Sequence, residues 1–463
     1  MRAIAECAAI DRRRRPCGIA RVAALVVALV ALGLPATAMA DWPLYGHDLA
    51  NSRDAGAAGP SPSQLGSISA AWAFTTPTGD FTGTPVISRG VLVAGNNGGW
   101  IYALDPVSGR VLWSKDVGQP INGTAAIDPH APHGGAVYVP VAQLGAPRLL
   151  ALSLRDGTTR WDTTLTNQSN STVFGSPVYW RHTLYIGTSG PLGDNSTARG
   201  SVVALDQKTG AVRWQTFTVP PDRDGAPVWS TPAIDTKSRL LYVGTGNNYH
   251  APTTDTEDSI MALDTATGQI VAQFQATSGD IFSLPDNPGG PDFDFGASPN
   301  LFTGSDGEQL VGEGQKSGIY WALDRATMRP VWNTTVGPTG IFGGILGSTA
   351  FDGARIYGAD SLNGQVFALA RDGSTQWDSL DSGGVHVSAT TIADGVLYTV
   401  DPSGFLTARN PTNGEILARL SLGARSFGGV SADGEAVYVA VGTGQASPGS
   451  IIAFGDTSHA GHP

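Results

Sequence analysis

The chain has 463 residues, 41% of them hydrophobic and only 14% charged, so there is ample material for a buried core. Its 61 glycines and 30 prolines are spread without a short period, which excludes collagen-like and low-complexity classes and fits a turn-rich all-β protein. A formal net charge of −11 argues against a nucleic-acid partner.

Taken in chain order, residues 1–40 read as an export signal: Arg12 to Arg15 with Arg21, an apolar run from Val22 to Leu34, then Ala38-Met39-Ala40 before Asp41. Cleavage after Ala40 is expected. The run falls short of the roughly 20 residues that a membrane helix needs, so no span is expected after cleavage and the location predicted is periplasmic or secreted. The segment carries six Arg against Glu6 and Asp11, so its removal makes the remainder more acidic. Cys7 and Cys17 leave with it, and neither a disulfide, a thiolate metal site nor a covalently attached c-type haem is expected in the rest.

From Asp41 to the end one phrase recurs: an apolar pair, then Ala-x-Asp-x-x-x-Gly-x-x-x-Trp. Clear copies are Ile101-Tyr102-Ala103-Leu104-Asp105 leading to Gly109 and Trp113, and Val202-Val203-Ala204-Leu205-Asp206 leading to Gly210 and Trp214. The alanine falls at Ala103, Ala151, Ala204, Ala262, Ala322, Ala368, Ala408 and Ala453; Trp161, Trp332 and Trp377 complete further copies, and Ala272 and Ala418 stand where two tryptophans are missing. Each copy also holds a Ser/Thr-Pro strand start such as Thr84-Pro85-Val86 and a second strand such as Val91-Leu92-Val93-Ala94.

Four strands per repeat and eight repeats predict one domain over 41–463, an eight-bladed β-propeller of four-stranded antiparallel blades. Ile451-Ile452-Ala453-Phe454 has no tryptophan after it, and Ala71-Trp72-Ala73-Phe74 has no alanine phrase before it, so the N- and C-terminal strands are expected to pair and close the ring. The tryptophans are read as core residues covering the next blade, and the blades ending at Ala272 and Ala418 are expected to dock less tightly.

With the strands of a blade labelled A to D, the D-to-A and B-to-C connections share one face. The long irregular stretches Ser189 to Gly200, Asn247 to Ser259 and Ala276 to Gly296 all fall there, which makes it the candidate binding face. Trp229 and Asn247 flank strands A and B of the fourth blade, and Asp292, Asp294 and Lys316 flank those of the fifth. An indole, an amide oxygen, a carboxylate and an ammonium from adjacent blades suit a planar anionic cofactor over a hard cation. The spacing also allows plainer roles: a turn at Asn247, a loop cap at Asp292 or Asp294, and a solvated surface amine at Lys316, one of four lysines in the chain.

At these residues the chain resembles the pyrroloquinoline-quinone (PQQ) dehydrogenases, most closely their polyvinyl alcohol dehydrogenase branch. The resemblance rests on Trp42-Pro43-Leu44-Tyr45-Gly46-His47-Asp48, on Val228-Trp229-Ser230-Thr231-Pro232 through Gly244-Thr245-Gly246-Asn247, and on Gly290-Pro291-Asp292-Phe293-Asp294-Phe295-Gly296 through Gln315-Lys316-Ser317-Gly318. It implies PQQ as cofactor, with Trp229 as the floor under the quinone and Lys316 at its oxygens. It further implies Asn247 and Asp294 as ligands of Ca²⁺ or a lanthanide, and Asp294 as general base, with Asp292 as the alternative base. Where the family supplies a glutamate from the third blade this chain has Leu192, so Asp194 is the substitute ligand expected. The family's haem-bearing segment is absent, and electrons from an alcohol substrate, possibly a polymeric one, would pass to a separate acceptor such as a cytochrome c. The competing expectations are a non-catalytic propeller of the same repeats acting as an envelope or extracellular scaffold and, as a minor one, a lectin-like polymer-binding propeller.

Overall fold

A computed structural model describes residues 41–191, 196–381, 385–401, 403–445 and 448–456. The segment 1–40, where an export signal is expected, and the loop positions Leu192 and Asp194 lie outside the described residues. Within them, the strands form eight four-stranded antiparallel sheets in the order of an eight-bladed propeller, with no helix. Central strands such as Ala136–Val141 are buried along their whole length because each blade is covered on both faces by its neighbours. Outermost strands such as Val111–Asp116 are largely exposed.

The ring closes as the split repeat requires. Ile68–Thr75 pairs antiparallel with Ser450–Asp456 and forms the outer strand of the eighth blade, with Trp72 opposite Ala453. The same Ala–Trp partnership recurs at 103/113, 151/161, 204/214, 322/332 and 368/377. Each indole then reaches into the next blade and donates to a carbonyl there: Trp72 to Pro106 at 2.9 Å, Trp113 to Leu154 at 2.9 Å, Trp332 to Arg371 at 3.0 Å. It lies on the glycine of that blade's C-to-D turn; a Cβ on Gly109 would come 2.6 Å from the Trp72 ring. The glycine of the repeat is thus required twice, for its left-handed turn (φ 69°) and for the indole above it.

The seam between blades 4 and 5 solves the problem differently. Ala272 faces Ala262 instead of a tryptophan. Met328 takes the glycine's place in the following turn at φ 56°, is 2% exposed, and packs in one cluster with Ala262 and Ala272. A flexible thioether arm from the partner blade fills the space that an indole fills elsewhere, so the looser docking expected at Ala272 is offset. The turn that would face Ala418 follows Asp456, outside the described residues.

Residues 42–59 add a strap that repeat analysis does not reveal. It runs along the inner edges of the A strands, pairing backbone with backbone: Trp42 with Ile87, Pro43 O with Ile127 N–H, Leu49 O with Ile234 N–H, Ala50 O with Leu301 N–H, Ser52 O with Phe351 N–H, Arg53 O with Ile392 N–H, and Gly59 N–H with Gly434 O. Edge groups of seven blades are satisfied in this way. Arg53, fully buried and with no carboxylate partner among the described residues, donates to the carbonyls of Tyr45, Thr390 and Val430.

Candidate functional site

The five residues singled out in blades 4 and 5 meet at one mouth. Trp229 precedes Ala233–Asp235 and Asn247 follows Leu240–Gly244; Asp292 and Asp294 precede Asn300–Thr303 and Lys316 follows Gln309–Gly314. The Lys316 ammonium donates to Asp292 Oδ1 at 2.8 Å and to Asp294 Oδ2 at 2.9 Å, and stands 5.5 Å from the centre of the Trp229 ring. Asp294 Oδ1 accepts the Asn247 backbone N–H at 2.8 Å. A backbone bond joins the two blades at this point, Phe295 N–H to Thr245 O at 3.1 Å, and a second, Lys316 N–H to Asp294 O at 3.0 Å, braces the two segments within blade 5.

Two glycines allow the close approach. A Cβ on Gly296 would sit 2.0 Å from the far edge of the Trp229 indole, and one on Gly246 would sit 2.4 Å from Asp294 Oδ1. The half-buried indole therefore rests directly on backbone and forms a fixed platform.

The two carboxylates are not equivalent. Asp294 has donors on both oxygens. Among the described residues Asp292 has one, Lys316 on Oδ1, which leaves Oδ2 to accept a proton. Burial and then the charge of Asp294 raise the pKa of Asp292 well above the usual carboxylate range, and Lys316 only partly counters this. Burial works to lower the pKa of Lys316, but the two carboxylates outweigh it and hold the ammonium charged.

Three further acids stand behind the pair, none singled out from the sequence. Asp280, fully buried, accepts Phe293 N–H at 2.8 Å and Asp292 N–H at 3.3 Å. Glu257 accepts Gly279 N–H at 2.6 Å, and burial pushes its carboxyl up to about 7. Asp258 is fully buried, and no donor reaches either of its oxygens. Burial, with Asp294 and Asp280 nearby, raises its pKa well above the ordinary carboxylate value. Glu313, buried just before Gln315 and Lys316 with no hydrogen-bond partner among the described residues, has its pKa raised by burial.

The residues present fit a planar anionic quinone: a flat aromatic platform, with an ammonium at its face. Among the described residues they do not assemble a metal site. The Asn247 amide nitrogen is committed to Asn248 O and Phe282 O, leaving its oxygen as a single neutral donor. Among the described residues no three acidic, histidine or cysteine side chains converge on a point where a metal ion could sit. Asp194 lies outside them.

The fold is an eight-bladed propeller of PQQ-type repeats. The chain belongs to the PQQ_2 repeat family, whose model is described as outer membrane protein assembly factor BamB and matches residues 66–258 and 256–457. It is 27% identical over 441 residues to the polyvinylalcohol dehydrogenase of Sphingopyxis sp. (strain 113P3), covering 80% of this chain but 66% of that protein, just under two thirds of its length. Among solved structures it is similar to the quinohemoprotein alcohol dehydrogenase from Comamonas testosteroni, with TM-score 0.77 and 19% identity over 90% of this chain and 80% of that one. It is also similar to BamB from Moraxella catarrhalis, with TM-score 0.60 and 17% identity over 85% and 99%. Both structural likenesses speak to fold alone. No helix among the described residues is long and apolar enough to cross a membrane.

Proposed function

We propose that this protein is an exported PQQ-dependent alcohol dehydrogenase whose active site is the mouth between blades 4 and 5. The observation that carries the reading is the Lys316 ammonium, held by Asp292 and Asp294 and standing 5.5 Å from the Trp229 ring. When bound, PQQ supplies the acceptor for the hydride of the alcohol carbon.

Each side chain then has a distinct task. Trp229 stacks beneath the cofactor, and Lys316 offers its positive charge to the anionic groups above. Asp292, in its ionised form, takes the hydroxyl proton on Oδ2, since that oxygen has no donor; its pKa is pushed up to about 8, so this role belongs to alkaline pH. Asp294 fixes Lys316 and the Asn247 loop rather than acting as the base. Electrons leave to a separate acceptor, and the similarity to polyvinylalcohol dehydrogenases makes polymeric alcohols the first substrates to try.

A second reading is a non-catalytic scaffold; the unconverged metal donors and the family model's BamB description favour it. Purified protein mixed with PQQ and Ca²⁺ or a lanthanide, followed by dye reduction with short and polymeric alcohols, separates the two. Saturable reduction supports the enzyme. Absence of quinone binding by calorimetry at micromolar concentration sinks it in favour of the scaffold. Asp292→Asn is expected to lower kcat by about 100-fold or more while quinone affinity is kept; an unchanged rate would remove Asp292 from the role of base.

A further inference from the structure

Asp292 sits in the left-handed region at φ 58°, a conformation that residues other than glycine rarely hold without help. Here the help comes from one side chain. Asp280 Oδ2 accepts Phe293 N–H at 2.8 Å and Oδ1 accepts Asp292 N–H at 3.3 Å, while its own carbonyl oxygen accepts Asn248 N–H at 3.2 Å. A single fully buried residue therefore ties the acid-bearing segment to the loop that carries Asn247.

Its surroundings keep it in place. Glu257 binds Gly279 N–H, fixing the preceding residue. Asp258, fully buried beside it and without a donor on either oxygen, has its pKa raised by burial and by the neighbouring carboxylates, Asp280 among them. Two adjacent backbone donors need an acceptor with two oxygens; an amide side chain would set its NH₂ against one of them.

We propose that Asp280 is a positioning residue for the oxidation of the alcohol, holding the Asp292-Phe293 backbone so that the Asp292 carboxylate and the Lys316 ammonium face the same point. The role in turnover rests on the dehydrogenase reading; the hold on the backbone does not. The test uses the full chain and reads amide hydrogen exchange as well as kinetics.

In the wild type, the Asp292 and Phe293 amides are expected to be protected despite lying in a loop. In Asp280→Asn they should exchange about tenfold faster or more while the protein still melts cooperatively. With quinone and alcohol present, kcat should fall by about 100-fold, with KM and quinone affinity held within about twofold. Asp280→Glu, which keeps both acceptors, should recover part of that loss. Wild-type amides exchanging at open-loop rates would overturn the proposal even if the variant fails to fold, and so would a folded Asp280→Asn with wild-type exchange and kcat. If the wild type oxidises no alcohol, the dehydrogenase reading falls, and exchange alone decides what Asp280 holds.

Discussion

Lys316→Met keeps the length of the side chain and deletes its charge. The ammonium lies 2.8 and 2.9 Å from two carboxylates, and Lys316, Asp292 and Asp294 are 8%, 3% and 6% exposed, so water cannot replace what is lost. Removing one partner of such a buried pair costs about 3–5 kcal/mol where both carboxylates are ionised. The pH dependence has a definite sign. Lys316 has a raised pKa in the folded state, so its contribution is intact below the ordinary lysine value of about 10 and fades only above it. Asp292 is also raised, so the folded protein binds its proton more tightly than the unfolded chain does; stability from this group grows as the pH falls from the raised value toward the ordinary carboxylate range. Without Lys316 this upward shift is larger, and acidification relieves the mutant more than the wild type. Urea unfolding followed by tryptophan fluorescence should show the full deficit near pH 9 and a clearly smaller one near about pH 5.5. A deficit below about 1 kcal/mol at both pH values, the worth of a solvated pair, would refute the buried arrangement.

Trp72→Ala should cost about 3–5 kcal/mol in unfolding experiments, and so should Trp113→Ala inside the ring. Only Trp72→Ala should also expose 68–75 to limited proteolysis, because that strand is held in the eighth blade by non-covalent pairing; equal resistance in both variants would count against the closure. At the seam of blades 4 and 5, Ala272→Trp and Met328→Gly should each destabilise, and the double variant should recover about 1 kcal/mol or more in a double-mutant cycle. Simple additivity would show that the two positions do not share one space.

The propeller was legible because its information is local and repeated. Alanine, aspartate, glycine and tryptophan at fixed offsets encode one strand pair, one turn and one contact with the next blade, and the split copy at the two ends encodes closure. Trp229, Asn247, Asp292, Asp294 and Lys316 could be placed near one another because each lies within a few residues of an A or B strand whose position the repeat dictates. Asp280, Asp258 and Glu257 sit in stretches without period, where an acidic loop residue looks solvated; their burial comes from tertiary folding of the long connections. Glu313 contradicts its surroundings outright, being an acid in a strand whose neighbours are buried. The strap was hidden for a related reason: Asn51 and Arg53 read as ordinary loop residues, and only the closed ring supplies the carbonyls that they bind. Met328 did leave a trace, since it breaks the repeat's glycine immediately after the blade that lacks its tryptophan.

That broken repeat and the mouth belong to the same seam. On the turn side, blades 4 and 5 are joined by Met328 against Ala262 and Ala272, without the indole and its hydrogen bond. On the other side they are joined by Phe295 to Thr245, Asn247 to Asp294 and the Lys316 ammonium at the Trp229 ring, the groups that also shape the candidate site. The contacts assigned to chemistry therefore carry part of the docking that a tryptophan carries elsewhere. A departure from the repeat at a functional seam is where local rules are expected to yield. It follows that substitutions at Lys316 or Asp294 must be judged on folded protein. Lost activity there has two physical routes, altered chemistry and a loosened seam, and only the second should be mended by Ala272→Trp with Met328→Gly.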